Sequence, residues 1–388
     1  MDIISLKDTS NKLFYVGGVV RDELLGIKSL DVDIVYEGNA IEDCSEFGEL
    51  VRVNPDFGTI RVKLNPHPNF SHFQDENGEI LPSPGGRGDT VVDIASTRTE
   101  TYPRKGHLPV VDKIGVSLKE DVMRRDFTVN SLYKSVSTGE IFDFTGGLED
   151  LKNKIIRVLH DESFVDDPTR IIRALKFSHR FGFILDARTR ALRDEYLQNI
   201  NYDMCFKRVK KELIETLGLN SDELFKEFIE SGIYKLVTPN RVQVPSTTIK
   251  NLISQYAPKS ENIWLIYAGI LRDLTRIELT RKEQKILDDF AALENSGLND
   301  DFAIYKAFDG KKIESIILFA VLCDEKLARH YLDDLRGIKI ATTGKHLEAA
   351  GFEPSPKYKE IFDFLLNKKL KNPKMTLENE MALVKEFF

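Results

Sequence analysis

The sequence predicts an α+β protein in which a small mixed β-sheet with helices is followed by an elongated, entirely helical remainder. Three observations favour this class. Short stretches rich in β-branched and aromatic residues are confined to about the first 140 residues. From about residue 148 onward, apolar residues recur at helical spacing and strand signals almost vanish. At 388 residues the chain is also long enough for two or more packed units.

The first part of the chain consists of short β-prone stretches separated by turns. A short helix is predicted in VRDELLG, ending at Gly26. Residues 65–89 are rich in proline, glycine, asparagine and aspartate, which predicts a long connection or an exposed insertion without an assigned function. Strands are predicted over residues 13–20, 32–36, 59–64, 90–96 and 128–135.

In the helical part, DDPTRIIRALKFSHRFG predicts one well-delimited helix. Asp167 is suited to cap its start and Gly182 to form its exit. Arg170, Arg173 and Arg180 fall on one side of this helix. By itself, that arrangement indicates an amphipathic helix with a solvated basic face.

Composition excludes several classes of protein. The chain has no run of about 18 apolar residues, which argues against a membrane span. Its first residues lack the basic and apolar regions of a secretory signal, so a cytoplasmic location is predicted. The net charge of -7 means that a nucleic-acid partner would need a local basic surface. Residues 170–211 meet that condition, with eleven Lys and Arg against four Asp and Glu.

Two aspartates one residue apart, Asp31 and Asp33, are the first candidates for catalysis. On a strand their side chains leave from the same face, roughly 6 to 7 Å apart, so their oxygens can hold Mg²⁺ in a two-metal site. Gly17 and Gly18 let backbone amides approach phosphates, and Arg21 can bind phosphate oxygens. Alone, the acids indicate solvated groups and the glycines a turn; together they predict a site for a metal-bound triphosphate.

Other candidates lie further along the chain. Asp93, in VVDIAS, occupies another apolar strand where a third carboxylate would serve the same site, although a single acid on a strand is often structural. In RRDFTVNSL, Arg124 and Arg125 suit a triphosphate, while Asp126 and Asn130 can hydrogen-bond ribose hydroxyls. On its own, this segment could equally be a surface ion-pair cluster leading into a strand.

Together these stretches resemble the class II tRNA nucleotidyltransferase and bacterial poly(A) polymerase family of the DNA polymerase beta superfamily. The resemblance covers roughly residues 13–215. GGVVRDELLG followed by DVDIV resembles the catalytic motif, RRDFTVNSL the ribose motif, and DFTGGLEDLKNKIIRV the hinge between head and neck. DDPTRIIRALKF resembles the nucleotide-selecting motif and FKRVKKELIE the last neck motif.

The resemblance implies a nucleotidyltransferase head over residues 1–147, a nucleotide-selecting neck over 148–217, and a tRNA-binding body and tail over 218–388. It implies roles for three groups of residues: metal binding by Asp31 and Asp33; triphosphate binding by Gly17, Gly18 and Arg21; and ribose binding by Asp126 and Asn130. Arg124, Arg125 and Arg173 are predicted to bind the nucleotide with them, and Asp93 to be catalytic.

The family resemblance also assigns base selection to Asp167 and Arg170. One carboxylate and one guanidinium complement the amine and ring nitrogen of cytosine and of adenine, whereas uracil and guanine would leave polar groups unpaired. Asp166 stands where the family usually has glutamate, and its shorter side chain is expected to hold Arg170 less firmly.

The resulting hypothesis is an enzyme that adds CCA to tRNA 3′ ends from CTP and ATP with Mg²⁺, the RNA 3′-hydroxyl attacking the α-phosphate with release of pyrophosphate. An A-adding or CC-adding enzyme would keep every motif, although the full-length appearance of residues 96–123 weighs against CC addition. A poly(A) polymerase would share the head, but a longer basic tail would be expected. A non-enzymatic RNA-binding relative would be expected to have lost an acid, yet Asp31 and Asp33 are both present. No protein partner and no membrane association are predicted.

Overall fold

The computed structural model describes residues 11–29, 32–44, 48–64 and 91–388. Within these ranges the chain forms two compact units, divided between Glu212 and Leu213. The strands of the described residues all lie in the first unit, and the second unit is helical, so the predicted α+β class is confirmed. The finer division into head, neck, and body with tail remains a prediction.

The first unit contains short strands, most of which join one mixed sheet. Seven of them hydrogen-bond in the order β3, β4, β5, β2, β1, β8, β9, while β6 pairs with β7 and β10 with β11. The strands of the described residues are β1 (Leu13–Val16), β2 (Asp33–Tyr36), β3 (Gly48–Asn54), β4 (Thr59–Leu64), β5 (Val91–Ser96), β6 (Arg98–Thr101), β7 (Val110–Ile114), β8 (Tyr133–Ser135), β9 (Ile141–Phe142), β10 (Ile155–Ile156) and β11 (Ile184–Leu185).

The pairing of β2 with β5 determines how the candidate residues Asp33 and Asp93 lie relative to each other. These two strands run parallel, and their register places Asp33 beside Asp93. Because alternate residues of a strand point to the same face of the sheet, these two acids share a face with Val35. Ile34 and Ile94 point to the opposite face and lie in the core there.

Two hydrophobic clusters cover the two faces of this sheet. One contains Ile34, Ile60 and Ile94. The other joins Val35 to Val122 and Tyr133, residues of the segment that carries RRDFTVNSL, and to further buried side chains. Burial of these side chains therefore holds that polar motif over the face that carries the two acids.

Helices of the first unit flank the sheet segments or follow them. They are α1 (Gly18–Leu24), α2 (Ala40–Asp43), α3 (Leu118–Asp121), α4 (Gly147–Asn153), α5 (Ser163–Asp166), α6 (Thr169–Phe181), α7 (Ala187–Gln198) and α8 (Phe206–Leu217), the last of which continues past the division between the units. As predicted, α6 ends at Gly182, which adopts a left-handed conformation, and the Asp167 side chain accepts a hydrogen bond from the Thr169 amide at its start.

The second unit is built from helices with strongly apolar inner faces. They are α9 (Asp222–Glu230), α10 (Ile249–Tyr256), α11 (Ile263–Gly269), α12 (Arg281–Glu294), α13 (Asp301–Phe308), α14 (Ile313–Leu322), α15 (Glu325–Arg329), α16 (Gly344–Ala349), α17 (Lys357–Lys371) and α18 (Leu377–Phe387). None of the helices among the described residues has the length and apolarity required to cross a membrane.

Several predicted elements differ from those observed. The strand predicted from residue 13 stops at Val16, because Gly17 takes a φ of 73° and turns the chain into α1. The strand predicted over residues 128–135 is wrong at its start: Thr128–Asn130 is a 3₁₀ turn, and β8 begins only at Tyr133. The insertion at 65–89 and the catalytic candidate Asp31 lie outside the described residues.

Candidate active site

A pocket of about 370 Å³ lies over the sheet face that carries the two acids. Its lining combines the carboxylates of Asp33 and Asp93 with three guanidinium groups, those of Arg98, Arg124 and Arg125. Carboxylate oxygens are ligands for hard divalent cations, and guanidinium groups bind phosphate oxygens. The pocket therefore has the donors needed for a polyphosphate together with its metal ions.

The structure brings Asp33 and Asp93 together, and Asp93 has a cationic partner on the neighbouring strand. From the neighbouring strand β4, Arg61 binds Asp93 with two hydrogen bonds, Nε to Oδ1 at 2.7 Å and Nη2 to Oδ2 at 2.6 Å. Asp33 is exposed at the first position of β2. Arg61 could not be identified from the sequence, because strand register and not proximity in the chain sets this contact.

Arg124 and Arg125 share a carboxylate partner, Asp121, and Glu100 Oε1 lies a further 3.6 Å from Arg124 Nη1. Asp121 is fully buried and accepts hydrogen bonds from Arg124 Nε and Arg125 Nη2, both at 2.9 Å. Burial by itself would raise the pKa of Asp121, but the neighbouring Arg125 and Arg124 hold that pKa well below its usual range. An acid three and four residues before two arginines at the end of a helix is the only sequence signal for this arrangement.

The glycine pair lies close to these groups. A Cβ atom added at Gly17 would be 3.8 Å from Nη1 of Arg125 and 3.6 Å from the Asn130 carbonyl oxygen, and Gly17 also has a φ of +73°. A Cβ at Gly18 would lie 3.6 Å from Nη2 of Arg21. The conformation at Gly17 thus strongly favours glycine, which also keeps the backbone open beside an arginine of the pocket.

The structure places Arg21 inside the protein. Its side chain is 5% exposed and donates to Asp22 Oδ1 from Nε at 2.9 Å and from Nη2 at 2.6 Å. Its Nη1 donates to Asn130 Oδ1 at 2.5 Å, and the guanidinium lies 5.1 and 4.4 Å from the ring centroids of Phe177 and Phe181. The predicted role of Arg21 in triphosphate binding remains a prediction, whereas its contacts with α6 are observed.

The two predicted ribose residues belong to the same buried network. Asp126 Oδ1 accepts from Asn130 Nδ2 at 3.1 Å, and its Oδ2 accepts from Arg173 Nε at 2.9 Å and Nη2 at 2.6 Å. Burial would raise the pKa of Asp126, but Arg173 and Asn130 lower it to about 2. Hydrogen bonds therefore connect Arg173, Asp126, Asn130, Arg21 and Asp22 in one chain.

A second pocket of about 350 Å³ adjoins the first through Arg124, which lines both. Its other polar lining residues include Tyr102, His160, Asp166 and Arg170. Burial and the nearby Arg170 lower the pKa of His160, so its imidazole is neutral at pH 7. Among the lining groups, the guanidinium of Arg170, the carboxylate of Asp166 and the imidazole of His160 can hydrogen-bond to the edge of a nucleobase.

The predicted base-selecting arginine is buried rather than solvated, being 3% exposed. Arg170 Nη1 donates to Ser163 Oγ at 2.7 Å, and Nη2 donates to the Arg124 carbonyl oxygen at 2.9 Å. Asp166 accepts instead from Lys105 Nζ at 2.5 Å. The orientation of Arg170 thus comes from Ser163 and the backbone of Arg124, which the sequence analysis did not identify.

The predicted partner of Arg170, Asp167, has its Oδ2 4.0 Å from Arg170 Nε, but its hydrogen bonds come from other donors. Its Oδ1 accepts from the Thr169 amide at 3.1 Å and from Thr169 Oγ1 at 2.6 Å, and its Oδ2 accepts from Arg208 of α8. Asp167 is 4% exposed. Asp166 lines the second pocket. In this structure, therefore, Asp166 is the neighbouring carboxylate that reaches the pocket lining.

The hairpin formed by β6 and β7 supplies one wall of the second pocket. Its tip is held by Arg104, whose Nε donates to Asp203 Oδ2 at 3.0 Å, and by the Gly106 amide, which donates to the Asp166 carbonyl oxygen at 3.0 Å. A Cβ at Gly106 would come within 2.9 Å of the Cβ of Met204, and its φ is +77°. Only glycine therefore permits the close contact of residue 106 with Met204. The neighbouring Lys105 lies beside Asp166.

One family model matches the part of the chain that carries most of this site. Residues 13–157 match the model of the poly(A) polymerase head domain. The match covers the catalytic and ribose motifs on which the predicted family resemblance depends, and it confirms that resemblance over these residues.

More particular similarities extend beyond the head. The A-adding tRNA nucleotidyltransferase of Aquifex aeolicus is 39% identical over 227 residues, covering 56% of this chain and 24% of that protein. The A-adding tRNA nucleotidyltransferase of Geobacter sulfurreducens is 29% identical in an alignment of 415 residues, covering 96% of this chain and 44% of that protein. The chain thus spans less than half the length of either relative.

Solved structures are similar over nearly the whole chain. The Thermotoga maritima CCA-adding enzyme complexed with tRNA has a TM-score of 0.69 and 25% identity, with 99% of this chain and 96% of that chain covered. A CCA-adding enzyme complexed with ATP has a TM-score of 0.71 and 26% identity, with 100% and 96% covered. The fold is therefore that of CCA-adding enzymes.

Proposed function

We propose that this protein is a tRNA nucleotidyltransferase that completes the CCA end of tRNA from CTP and ATP. The observation that carries the proposal is the junction of the two pockets at Arg124. One pocket offers acids and arginines for a metal-bound triphosphate, and the adjoining one offers Arg170 and Asp166 for a base. Solved relatives bound to tRNA and to ATP support the assignment of substrates.

The residues present fit Mg²⁺. Asp33 and Asp93 are register neighbours on parallel strands and line one pocket, and their oxygens are the donors that Mg²⁺ prefers. Within the described residues, which exclude Asp31, no group of three His, Cys, Asp or Glu side chains could hold a metal. When bound, Mg²⁺ would lower the pKa of the attacking hydroxyl and stabilise the leaving group.

The chain's own contribution is positioning and charge. Arg98, Arg124 and Arg125 would hold the triphosphate and offset its negative charge while the RNA 3′-hydroxyl attacks the α-phosphate and pyrophosphate leaves. Arg170 and a neighbouring carboxylate would hydrogen-bond the base edge, so that protein groups take the place of a nucleic-acid template.

An A-adding enzyme is the second candidate. Both sequence relatives described above are named A-adding tRNA nucleotidyltransferases. A protein that adds only the terminal adenosine would need the same acids and arginines, because the transfer chemistry is identical for the two nucleotides.

A substrate series separates these candidates. Purified protein with Mg²⁺ is incubated with tRNA transcripts ending at the discriminator base, at C and at CC, together with ATP, CTP or both. Full CCA addition to the first transcript supports the proposal, and addition of A only to the CC-ending transcript supports the second candidate. Absence of incorporation on every transcript contradicts both.

The same assay tests the metal-binding acid. We expect Asp33→Asn to lower incorporation by at least about a thousandfold, because metal ions supply several kcal/mol of transition-state stabilisation. Asp56→Asn is the control, since Asp56 is an exposed aspartate of the 3₁₀ turn Pro55–Phe57. Equal activity in the two variants would contradict the role of Asp33.

A further inference from the structure

Asp121 is the most completely buried acid near the two pockets, yet it is not a lining residue of either of them. Its carboxylate accepts hydrogen bonds from four donors. Oδ1 receives the Arg98 amide and Arg124 Nε, both at 2.9 Å, and Oδ2 receives Arg125 Nη2 at 2.9 Å and the Tyr133 hydroxyl at 2.7 Å. Three of these four donors belong to the arginines that line the acid-containing pocket.

The contacts of Asp121 account for the orientation of two guanidinium groups. Arg124 donates from Nε and Arg125 from Nη2 to Asp121, which does not line the pocket. Each guanidinium thus has one nitrogen bound to a group outside the pocket. Tyr133 adds a second anchor on Arg125, because its hydroxyl accepts from Arg125 Nε at 3.1 Å while it donates to Asp121. Held in this way, the arginines lose less side-chain entropy when a polyanion binds.

We infer that Asp121 is a positioning residue for polyphosphate binding, acting through Arg124, Arg125 and the backbone of Arg98. The inference rests on the proposed function, whose triphosphate would occupy this pocket. Removing one negative charge beside a polyanion site should tighten binding by Coulomb's law, whereas loss of the anchor should weaken it.

A direct binding measurement decides between these two outcomes. Inorganic tripolyphosphate is titrated into the full-length protein by isothermal calorimetry at fixed ionic strength, so that no turnover is needed. We expect Asp121→Asn to raise the Kd by about tenfold, because each guanidinium loses a charge-assisted hydrogen bond that orients it. Tyr133→Phe removes one anchor without changing any charge, and we expect it to raise the Kd by about threefold.

Asp150→Asn is the matched control. Asp150 is also buried, at 6% exposure, and it accepts from Arg157 Nε at 2.9 Å, Arg157 Nη2 at 3.1 Å and Thr128 Oγ1 at 2.7 Å. Arg157 does not line either pocket. Both aspartate variants should therefore lower the melting temperature, but only Asp121→Asn should change the Kd for tripolyphosphate.

Several outcomes would overturn the inference. They are an unchanged or lower Kd in Asp121→Asn, an equal rise in Asp150→Asn, and no binding of tripolyphosphate by the wild type. If Asp121→Asn does not fold, Tyr133→Phe still decides, since a wild-type Kd in that variant contradicts the anchoring role.

The KM and kcat for ATP provide a second test, because a purely structural role of Asp121 would not change KM selectively. We expect Asp121→Asn to raise the KM for ATP by about tenfold with kcat changed by less than about threefold, because loss of a contact made equally in the ground and transition states affects KM alone. A fall in kcat with an unchanged KM would contradict the inference. If the wild type incorporates no nucleotide but binds tripolyphosphate in an Asp121-dependent way, the proposed function fails and the polyphosphate site stands.

Discussion

Arg61 forms an ion pair with Asp93, the strand acid that was predicted to be catalytic. Both side chains of the pair are open to water, Arg61 at 45% and Asp93 at 58% exposure. Exposed ion pairs contribute little stability because solvent screens them and two long side chains must be ordered. A divalent cation at Asp33 and Asp93 would therefore displace Arg61 from Asp93 without difficulty.

We expect Arg61→Gln to tighten Mn²⁺ binding by up to about fivefold, because it removes a weakly held competing cation. The measurement is a Mn²⁺ titration followed by electron paramagnetic resonance, without nucleotide. Arg52→Gln is the control: Arg52 is an exposed arginine on β3 that lines a small pocket with Arg61 and Asp93. Unchanged affinity in Arg61→Gln, or equal tightening in both variants, would refute the competition.

The acid network around Asp126 should be visible in the pH dependence of stability. The pKa of Asp126 is about 2 in the folded protein, against 3.8 for the ordinary group. Its contribution is therefore fully present above pH 3.8 and is lost as the pH falls toward 2, with a total of about 2 kcal/mol.

We expect the free energy of unfolding to fall less steeply between pH 4 and pH 3 in Asp126→Asn than in the wild type, because asparagine has no carboxylate that can take up a proton. Urea titrations at pH 5, 4 and 3 measure the slope. Asp112→Asn, which changes an exposed carboxylate on β7, should leave the wild-type slope intact. Identical slopes in wild type and Asp126→Asn would disprove the assignment.

At the scale of single residues, the sequence was informative where the partners are neighbours in the chain. RRDFTVNSL could be recognised because its arginines, aspartate and asparagine lie within one short stretch of the chain. Arg61 and Arg208 could not be recognised, since their partners Asp93 and Asp167 lie 32 and 41 residues away. Such contacts depend on strand register and helix packing, which no local pattern encodes.

Helices α1 and α6 are joined by one buried guanidinium. Arg21 on α1 pairs with Asp22 and lies against Phe177 and Phe181 on α6. The pair is almost fully desolvated, with exposures of 5% and 4%. Loss of one partner would therefore leave an uncompensated charge in a low-dielectric environment.

We expect Arg21→Met to destabilise the protein by about 3 to 5 kcal/mol, because Asp22 would remain buried without its cation. The double variant Arg21→Met with Asp22→Asn should recover part of that loss, since no buried charge is then left unpaired. Urea unfolding measures both. Arg190→Met, at an exposed position of α7, is the control and should have little effect.

A double variant as unstable as Arg21→Met, or more so, would show that the contribution of Arg21 comes mainly from its packing against the two phenylalanines and its hydrogen bond to Asn130, and not from charge pairing. In that case the loss of stability would come from the lost guanidinium stacking and the lost hydrogen bond.

Elements were predictable where burial imposes a pattern. β4 and β5 alternate between buried and exposed residues and were found close to their observed bounds. β3 was missed because Leu50, Val51 and Val53 are all exposed, so its apolar residues follow no two-residue period. At Thr128–Asn130 the side chains of Thr128 and Asn130 bond to Asp150 and Asp126, and these contacts override the local β propensity.

At the scale of the whole molecule, many positive charges of the basic segment 170–211 are paired with carboxylates, so its composition overstates the charge available to a partner. At least six of its eleven basic residues lie within 4.0 Å of a carboxylate: Arg170, Arg173, Lys176, Arg188, Arg193 and Arg208. Phosphates of an RNA can reach only basic side chains that are open to solvent, and Lys207 and Lys211 of α8 are exposed.

We expect Lys207→Ser with Lys211→Ser to reduce the slope of log affinity against log salt by about 1.4 to 1.8, because each lysine that contacts a phosphate releases counterions. Fluorescence anisotropy with a tRNA transcript over a salt series measures this slope. The control is Lys119→Ser with Lys152→Ser, which removes two exposed lysines from elsewhere in the first unit. An unchanged slope in the α8 variant would rule out phosphate contacts there.

The hydrogen-bonded chain from Arg173 through Asp126, Asn130 and Arg21 to Asp22 has a consequence for inheritance. Each member satisfies the next, so a change at one position leaves a buried group unsatisfied at another. Single substitutions are therefore expected to be lost by selection, while compensated pairs persist. Among descendants of a common ancestor, these five positions should change together or remain the same.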